Sequence, residues 1–396
     1  MTMKTTIILV ALLWLTTMAC AQTYTYELVY GLHSSPRSPY APMTIVGSKA
    51  YGTAGLYGIY QAQSTGVVEE TICCPSNAAL AVDSVGNLYG VEEFHGYNSG
   101  RIFAVSPQHR WQQKTLYVFT GGADGQVYAT NESPLFLDQS GNVWGTTYGG
   151  GGNSCTNPGV KECGVIFELI NNQGTWQENV IHSFSGPPDG SGPDAGLTFD
   201  PTSGTYYGTT EYGGDLLCNC GTVFQLSPNG NGTWTETVLH AFVGADGSQP
   251  TGAVTLDSQG NLYGTTYSGG SYGLGVVYEI AGGQLSVLHS FAGTQPGSYD
   301  GANSNATLTF DLGGNLWGTT TNGGDRLDGT VFVLTPQNGA WQYSVFHSFQ
   351  GAASQPHDGV DPESGVVIDS LGNLWGTTAA GGYAGVGTFY EIKVSE

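Results

Sequence analysis

The sequence predicts an all-β fold built from repeated four-stranded units, and three observations carry that prediction. A Gly-Asn-Leu-Tyr-Gly or Gly-Asn-Leu-Trp-Gly segment, or a close variant, occurs six times between Gly86 and Gly376. The closing glycines of successive copies lie 55, 63, 56, 54 and 58 residues apart, a spacing found in propellers and solenoids. The composition, with 63 glycines and 10% charged residues, indicates many tight turns and no long helices.

Residues 194–244 show what one unit contains. Short apolar stretches at 195–200, 206–210 and 222–226 are each typical of a strand, and 234–242 alternates apolar with polar residues. Segments rich in glycine and asparagine separate these stretches and supply the turns. Four short antiparallel strands within about 50 residues are the pattern of a propeller blade.

An Asp-x-x-Gly-Asn segment, or a variant of it, lies between the first and second strands of six units. Its aspartate can accept hydrogen bonds from turn amides, and its glycine supplies a positive φ. Because the group recurs from blade to blade, we expect it to be architectural rather than catalytic. The aspartates are Asp83, Asp138, Asp200, Asp257, Asp311 and Asp369.

About seven units can be counted along the chain. The first is short and lies near residues 44–74, and the last, at 365–394, contains only three strands. The N-terminal segment 24–30 resembles the fourth strands of other units, so it would complete the last blade and cover exposed strand edges. We therefore predict a single domain over residues 22–396. It is a seven-bladed β-propeller of four-stranded antiparallel blades, closed by the N-terminal strand, with six or eight blades as alternatives.

The first 21 residues have the pattern of a secretory signal peptide. A charged start is followed by an apolar run from Ile7 to Met18 and by Ala19-Cys20-Ala21 as a cleavage site. Cleavage after Ala21 would give a secreted or cell-envelope protein, and Cys20 offers lipidation as the alternative. The run is too short for a membrane-spanning helix, which needs roughly 20 apolar residues, and no other apolar run is long enough.

The chain is strongly acidic. It has 31 Asp and Glu residues against 9 Lys and Arg, and a formal net charge of −22. Such a surface repels phosphate backbones and anionic membranes, so we expect no nucleic-acid partner.

The repeated blocks also resemble a known family. The Gly-Asn-Leu-Tyr-Gly-Thr-Thr block at 260–266, the Gly-Gly pair at 269–270 and the His-Ser-Phe-x-Gly segment at 289–293 are similar to the GloVer tandem repeats of exported bacterial proteins. A looser resemblance links 79–83 and 100–103 to NHL-type repeats and to streptogramin-lyase-like propellers. The resemblance implies a secreted or surface propeller and assigns no catalytic residue.

The long, irregular connections are the loops between second and third strands and the crossovers between blades. Both sets emerge on the same face of a propeller, which makes that face the expected binding surface. Its loops carry tyrosines that would either stack on sugar rings or shield the loops from solvent. These are Tyr148, Tyr212, Tyr267 and Tyr272.

Two repeated polar patterns invite a metal-binding interpretation. Five crossovers share an Asp-Gly pair, which would form either a ring of Ca²⁺ or Mg²⁺ sites or a set of repeated turns. We favour turns because each loop offers few carboxylates. Histidines recur in the fourth strands with tyrosines in equivalent places, which indicates a packing position. The aspartates are Asp124, Asp189, Asp246, Asp300 and Asp358; the fourth-strand residues are His182, His240, His289, His347, Tyr30 and Tyr117.

The second unit departs from the repeat at Glu92, Glu93 and His95. Two carboxylates and an imidazole on one loop could hold a divalent metal or act in acid–base catalysis. Degenerate drift of an early blade is the alternative.

Six cysteines remain after removal of the signal peptide, an even count that suits an oxidising compartment. Cys155 and Cys163 share one loop, and Cys218 and Cys220 share the corresponding loop of the next unit, so local bridges are expected. Cys73 and Cys74 are adjacent and offer a vicinal bridge.

The leading interpretation is an exported, non-enzymatic, monomeric propeller that binds a surface protein or a glycan through its loop-rich face and needs no cofactor. One alternative is a metal-assisted lyase or lactonase that uses the Glu92, Glu93 and His95 cluster. Another is a purely structural protein of the cell envelope.

Overall fold

The strands in the described part of the chain form seven four-stranded antiparallel sheets, which are the blades of the predicted propeller. The computed structural model describes residues 23–31, 39, 41–47, 49–53, 58–62, 69–71, 78–93, 100–106, 111–127, 134–155, 162–294, 299–351 and 357–395. These residues contain no helix. The all-β prediction is therefore confirmed, and the number of sheets fits seven blades.

The blades follow one another along the chain. The strands of blade 1 are Thr44–Val46, Lys49–Thr53, Ile59–Ala62 and Glu69–Thr71; those of blade 2 are Ala81–Val82, Leu88–Glu93, Gly100–Val105 and Gln113–Val118. Blade 3 has Phe136–Leu137, Val143–Thr147, Val165–Asn172 and Thr175–Ser183; blade 4 has Thr198–Asp200, Thr205–Thr210, Thr222–Pro228 and Trp234–Ala241. Blade 5 has Thr255–Leu256, Leu262–Thr265, Val276–Ala281 and Gln284–Ser290; blade 6 has Thr309–Phe310, Leu316–Thr320, Thr330–Gln337 and Ala340–Ser348. Blade 7 has Val367–Ile368, Leu374–Thr378, Thr388–Ser395 and Thr23–Gly31.

The ring is closed by the N-terminal strand, as predicted. Thr23–Gly31 pairs antiparallel with Thr388–Ser395, with one irregularity in register between Leu28 and Tyr30. Met43 of the segment that enters blade 1 packs in one cluster with Trp375 of blade 7. The first strands of several neighbouring blades contact each other, which places the first strand of a blade innermost and the fourth outermost.

The glycine that ends each Gly-Asn-Leu-Tyr/Trp-Gly segment is required by close packing. A Cβ atom on Gly145 would lie 2.7 Å from the ring of Phe167, and one on Gly318 would lie 2.5 Å from the ring of Phe332. Both phenylalanines are fully buried third-strand residues. The repeat therefore keeps glycine where an aromatic ring rests on the backbone of the second strand.

The Asp-x-x-Gly-Asn turn has the structural role that its recurrence predicts. Asp257 accepts hydrogen bonds from the backbone amides of Gln259, at 2.8 Å, and Asn261, at 2.9 Å. It also accepts one from the Asn261 side chain at 2.9 Å. The aspartate thus satisfies the turn amides that join the first two strands.

No helix in the described part of the chain is long and apolar enough to cross a membrane. The predicted signal peptide, residues 1–21, lies outside the described residues.

Candidate functional site

One face of the propeller carries the loops between second and third strands together with the crossovers between blades; we call it the loop-rich face. Three small two-stranded sheets join a crossover to the loop that follows it. They pair Gly190–Ser191 with Tyr212–Gly213, Gly301–Ala302 with Asn322–Gly323, and Gly359–Val360 with Ala380–Gly381. These pairings hold the loops against one another, which makes the face a preformed surface.

The loop-rich face exposes a set of large apolar side chains, which we call the apolar rim. Leu217 is 97% exposed, although burial of such a side chain is worth about 1.5–3 kcal/mol. The rim includes residues from the loops of blades 4 to 7 and from two crossovers. Its members are Leu216, Leu217, Tyr272, Leu327, Tyr383, Val243 and Tyr299.

Two of the predicted ligand-binding tyrosines belong to a hydrogen-bonded network within the protein. The Tyr148 hydroxyl donates to Glu211 at 2.8 Å, and Gln249 donates to Glu211 at 3.1 Å and to the Tyr212 hydroxyl at 3.4 Å. Burial, and then the Glu211 carboxylate, raises the pKa of Tyr212 to about 12. The same two causes raise the pKa of the partly buried Asp194 well above its usual range. This network fixes the loops rather than presenting free rings to a ligand.

The other two predicted tyrosines differ in exposure. Tyr267 is half-buried, whereas Tyr272 is exposed and belongs to the apolar rim. Of the four, Tyr272 is therefore the one whose ring is most accessible for stacking.

The acidic pair of the second unit does not converge on one point. Glu92 accepts hydrogen bonds from the Arg101 side chain at 2.7 Å and from Gln113 at 3.0 Å. Glu93 follows it in the same strand, so the two side chains leave opposite faces of the sheet. His95 lies outside the described residues. The geometry thus commits Glu92 to a structural ion pair.

The two repeated polar patterns, which the sequence presented separately, meet in the structure. The Nε2 atoms of four fourth-strand histidines lie 3.3, 2.9, 2.8 and 2.9 Å from the carboxylates of four Asp-Gly aspartates, and Tyr117 donates to the fifth at 3.1 Å. The pairs are His182–Asp189, His240–Asp246, His289–Asp300, His347–Asp358 and Tyr117–Asp124. The paired residues are 7, 6, 11, 11 and 7 positions apart in the sequence, so the recurrence of both patterns is visible there but no fixed spacing links them.

Each of these aspartates also organises its crossover. Asp300 accepts from the backbone amides of Ala292 at 2.8 Å and Gly301 at 2.7 Å. Burial acts to raise the pKa of Asp300, but the hydrogen bonds from His289 and from the amide of Ala292 outweigh it and lower that pKa below its usual range. The carboxylate is thus a charged acceptor inside the turn, which supports the interpretation of these aspartates as turn residues.

At two of these pairs, an aromatic residue joins from the outermost strand of the following blade. Tyr343 of blade 6 stacks on His289 with ring centroids 3.6 Å apart, and Tyr26 of blade 7 stacks on His347 at 3.8 Å. The Tyr26 hydroxyl also donates to Asp358 at 2.7 Å. We call each set of three residues a junction, because it ties the outer edges of two neighbouring blades together.

Cysteine bridges reinforce two loops of the loop-rich face. Cys155 is bonded to Cys163 in the loop of blade 3, and Cys218 is bonded to Cys220 in the loop of blade 4. Cys73 and Cys74 lie outside the described residues.

Two clefts lie between neighbouring blades, near the turns that join first and second strands. One, of about 300 Å³, is lined by residues that include Tyr89 and Trp176. The other, of about 570 Å³, is lined by residues that include Tyr263, Glu279 and Trp341. The Tyr263 hydroxyl donates to Glu279 at 2.6 Å, so polar groups of the larger cleft bond to each other. The loop-rich face is therefore the stronger candidate site.

Comparisons with known proteins agree with this architecture. Residues 218–396 match the family described as the Gloeobacter/Verrucomicrobia repeat, which confirms the predicted resemblance over that range. The fold is similar to the extracellular domain of a protein described as a hybrid two component system from B. thetaiotaomicron, with 13% identity and a TM-score of 0.54. That likeness covers 93% of this chain and 41% of the other, so the chain spans less than half of that protein's length.

A second solved structure is similar over nearly its whole length. The WD40 β-propeller domain of Doa1 matches with 11% identity and a TM-score of 0.54, covering 94% of this chain and 98% of that one. No curated protein matches the sequence. At these identities the likenesses establish the propeller fold and no activity.

Proposed function

We propose that this β-propeller, which carries the Gloeobacter/Verrucomicrobia repeat over residues 218–396, is an exported module that binds a surface protein through its loop-rich face. The observation that carries the proposal is the apolar rim. Exposed apolar side chains scattered over a surface need no explanation, but a set collected on one face marks an interaction surface.

The composition of the rim favours a protein partner. Leucine, valine and tyrosine side chains dominate it, and the core of a protein interface is rich in aromatic and apolar groups and poor in charge. The small sheets beneath the rim hold its loops in place, which lowers the entropy lost on binding.

The predicted signal peptide and the two cysteine bridges support export, because disulfides persist mainly in oxidising compartments. A secreted or envelope location would place the rim where surface proteins and cell-wall polymers are accessible.

A glycan is the second candidate ligand. The rings of Tyr272 and Tyr383 are exposed on loops of blades 5 and 7, and exposed aromatic rings can stack on sugars. The leucines of the apolar rim cannot stack on sugars, so a protein is the preferred candidate partner.

The proposal is tested with two triple variants that remove equal numbers of exposed apolar side chains from opposite faces. The rim variant is Leu217→Ser, Tyr272→Ser and Tyr383→Ser. The control carries Val85→Ser, Leu312→Ser and Leu371→Ser, at exposed positions in the turns of the other face. Each protein is assayed against envelope proteins of the organism that encodes it and against a glycan array, and every hit is repeated with the purified ligand by calorimetry.

A purified protein that binds the wild type and the control, but binds the rim variant at least tenfold more weakly, would support the proposal. A glycan with the same pattern would keep the face and replace the protein by a sugar. A ligand that the rim variant retains in full would move the binding surface elsewhere and overturn the proposal. Unchanged thermal unfolding of both variants shows that folding is preserved.

A further inference from the structure

Five consecutive junctions, from blade 2 to blade 7, can be compared residue by residue. Each has a histidine or tyrosine from the fourth strand of one blade and an aspartate from the crossover that follows. The third residue comes from the outermost strand of the next blade, four positions before the histidine or tyrosine of that strand. In order they are Tyr117/Asp124/Glu178, His182/Asp189/Glu236, His240/Asp246/Leu285, His289/Asp300/Tyr343 and His347/Asp358/Tyr26. The series compares equivalent positions, because each residue occupies the same place in its blade while the crossover lengths and the side chains differ.

The junction between blades 3 and 4 is the one member of this series that combines an imidazole with two carboxylates. One ligand atom from each of His182, Asp189 and Glu236 lies within 4.8 Å of the others. It is the one such group of three His, Cys, Asp or Glu residues among the residues that the structure describes. At the blade 5–6 and blade 6–7 junctions, the third residue is a tyrosine whose ring stacks on the histidine.

Burial of Glu236 carries an energetic cost that His182 offsets only in part. Its Oε1 atom is buried, and no hydrogen-bond donor of the described residues reaches it. A buried acceptor without a donor costs about 1–3 kcal/mol. Burial, and then the nearby Asp189, raises the pKa of Glu236 to about 7, with His182 acting in the opposite direction. A positive charge or a proton between the two carboxylates would reduce their repulsion and provide a partner for the buried oxygen.

The spacing of one ligand pair, His182 and Asp189, matches that around a small divalent cation. The His182 Nε2 atom lies 3.3 Å from the Asp189 carboxylate, whereas the other three histidines lie at 2.8–2.9 Å from theirs. Two ligands about 2.0 Å from a zinc ion and at a tetrahedral angle lie about 3.3 Å apart. The Asp189 carboxylate is also held by the amides of Ser185 and Gly190, which fixes its orientation as outer hydrogen bonds fix metal ligands.

We propose that His182, Asp189 and Glu236 form a binding site for one Zn²⁺ ion that ties blade 3 to blade 4. A neutral imidazole and carboxylate oxygens are zinc ligands. The ion would neutralise the two carboxylates. It would occupy the place that a stacked tyrosine fills at the blade 5–6 and blade 6–7 junctions. The site is partly open to solvent, since all three residues are partly exposed, which leaves room for a water ligand. This site does not depend on partner binding at the apolar rim.

The test uses metal-stripped protein without a histidine tag, titrated with ZnCl2 by calorimetry and followed by thermal unfolding. Two variants convert the site into arrangements that the fold already contains. Glu236→Tyr gives the side chains of the blade 5–6 junction, and His182→Tyr gives those of the blade 2–3 junction. The matched control is Glu178→Tyr, which removes the equivalent glutamate where no histidine is present.

We expect the wild type and the control to bind one equivalent of zinc, with a higher unfolding temperature. Both junction variants should bind it about tenfold more weakly or not at all. Absence of zinc binding by the wild type would overturn the proposal, and so would binding that Glu236→Tyr leaves unchanged. Stabilisation of the metal-free wild type by Glu236→Gln, without any zinc uptake, would show that a proton occupies the site and would likewise overturn it.

Discussion

The junction between blades 5 and 6 and the junction between blades 3 and 4 share a histidine and an aspartate but differ in the third residue. In the first, the ring of Tyr343 lies almost parallel to that of His289, at an interplanar angle of 4°. In the second, Glu236 brings a second carboxylate to the pair. The repeat thus keeps the pair that organises the crossover and varies the residue that arrives from the next blade. The junctions therefore differ in chemistry at the third residue, which comes from the next blade.

The largest effect is expected from removal of a crossover aspartate. Asp300→Ala should destabilise the protein by about 3 kcal/mol, because it leaves His289 and the amides of Ala292 and Gly301 without their acceptor. In metal-free protein, Asp189→Ala should cost less, about 1–2 kcal/mol, because it also relieves Glu236 of a neighbouring charge. Urea unfolding of both variants measures the difference, and equal losses would show that the third residue has no influence.

The second-largest loss of stability is expected from exchange of the third residue of a junction. Tyr343→Glu should destabilise by about 2 kcal/mol, since it removes a stacked ring and places a carboxylate beside Asp300. Tyr343→Phe is the control, because it keeps the ring. A loss from Tyr343→Glu that is no larger than the loss from Tyr343→Phe would mean that charge at this position is tolerated.

The reverse exchange should be stabilising. In metal-free protein, Glu236→Tyr should raise the free energy of unfolding by about 1 kcal/mol, because an aromatic ring can stack on His182 and the carboxylate repulsion is lost. Chemical unfolding with chelator present measures this change. A destabilised variant would indicate that the crossover of blade 3 has no space for the ring.

The fold could be predicted from the sequence because its signals are local and repeated. The Gly-Asn-Leu-Tyr/Trp-Gly segment, the turn aspartates and the resemblance of 24–30 to other fourth strands are each visible without tertiary contacts. The junctions could not, because Glu236 approaches Asp189 from 47 residues further along the chain (236 minus 189). The spacing between the paired histidines and aspartates also varies from 6 to 11 residues, which hides the contact from a search for a fixed motif.

The candidate binding site shows the same limit. The Tyr148 partner, Glu211, lies 63 residues away, so sequence alone does not tell a tyrosine held within the protein from an exposed one. The apolar rim depends on side-chain exposure in loops, which composition and periodicity do not reveal. Tyr272 was predicted because it is aromatic and in a loop, and those features do not identify Leu217.

The smallest expected effect is on the pH dependence of stability. It distinguishes the blade 2–3 and blade 3–4 junctions, which contain a glutamate, from the other three. Burial first, and then a neighbouring aspartate, raises the pKa of both Glu178 and Glu236 to about 7. In metal-free protein the folded state therefore holds more protons than the unfolded state between about pH 4.5 and 7, so stability falls as pH rises through that range. Solvent screening should keep each contribution below about 1 kcal/mol.

Burial also raises the pKa values of other carboxyl groups, including Glu363 and Asp361, and these groups act on stability in the same direction. The slope is therefore compared between wild type and the double variant Glu178→Gln and Glu236→Gln, in chelator, by urea unfolding at several pH values. The variant should lose part of the decline between pH 4.5 and 7. The lowered pKa of Asp300 affects stability only as pH falls towards and below its usual range near 3.8, so it leaves this difference untouched. An identical slope in both proteins would show that neither glutamate holds a proton in the folded state, and the charge at the blade 3–4 junction would then require another counterion.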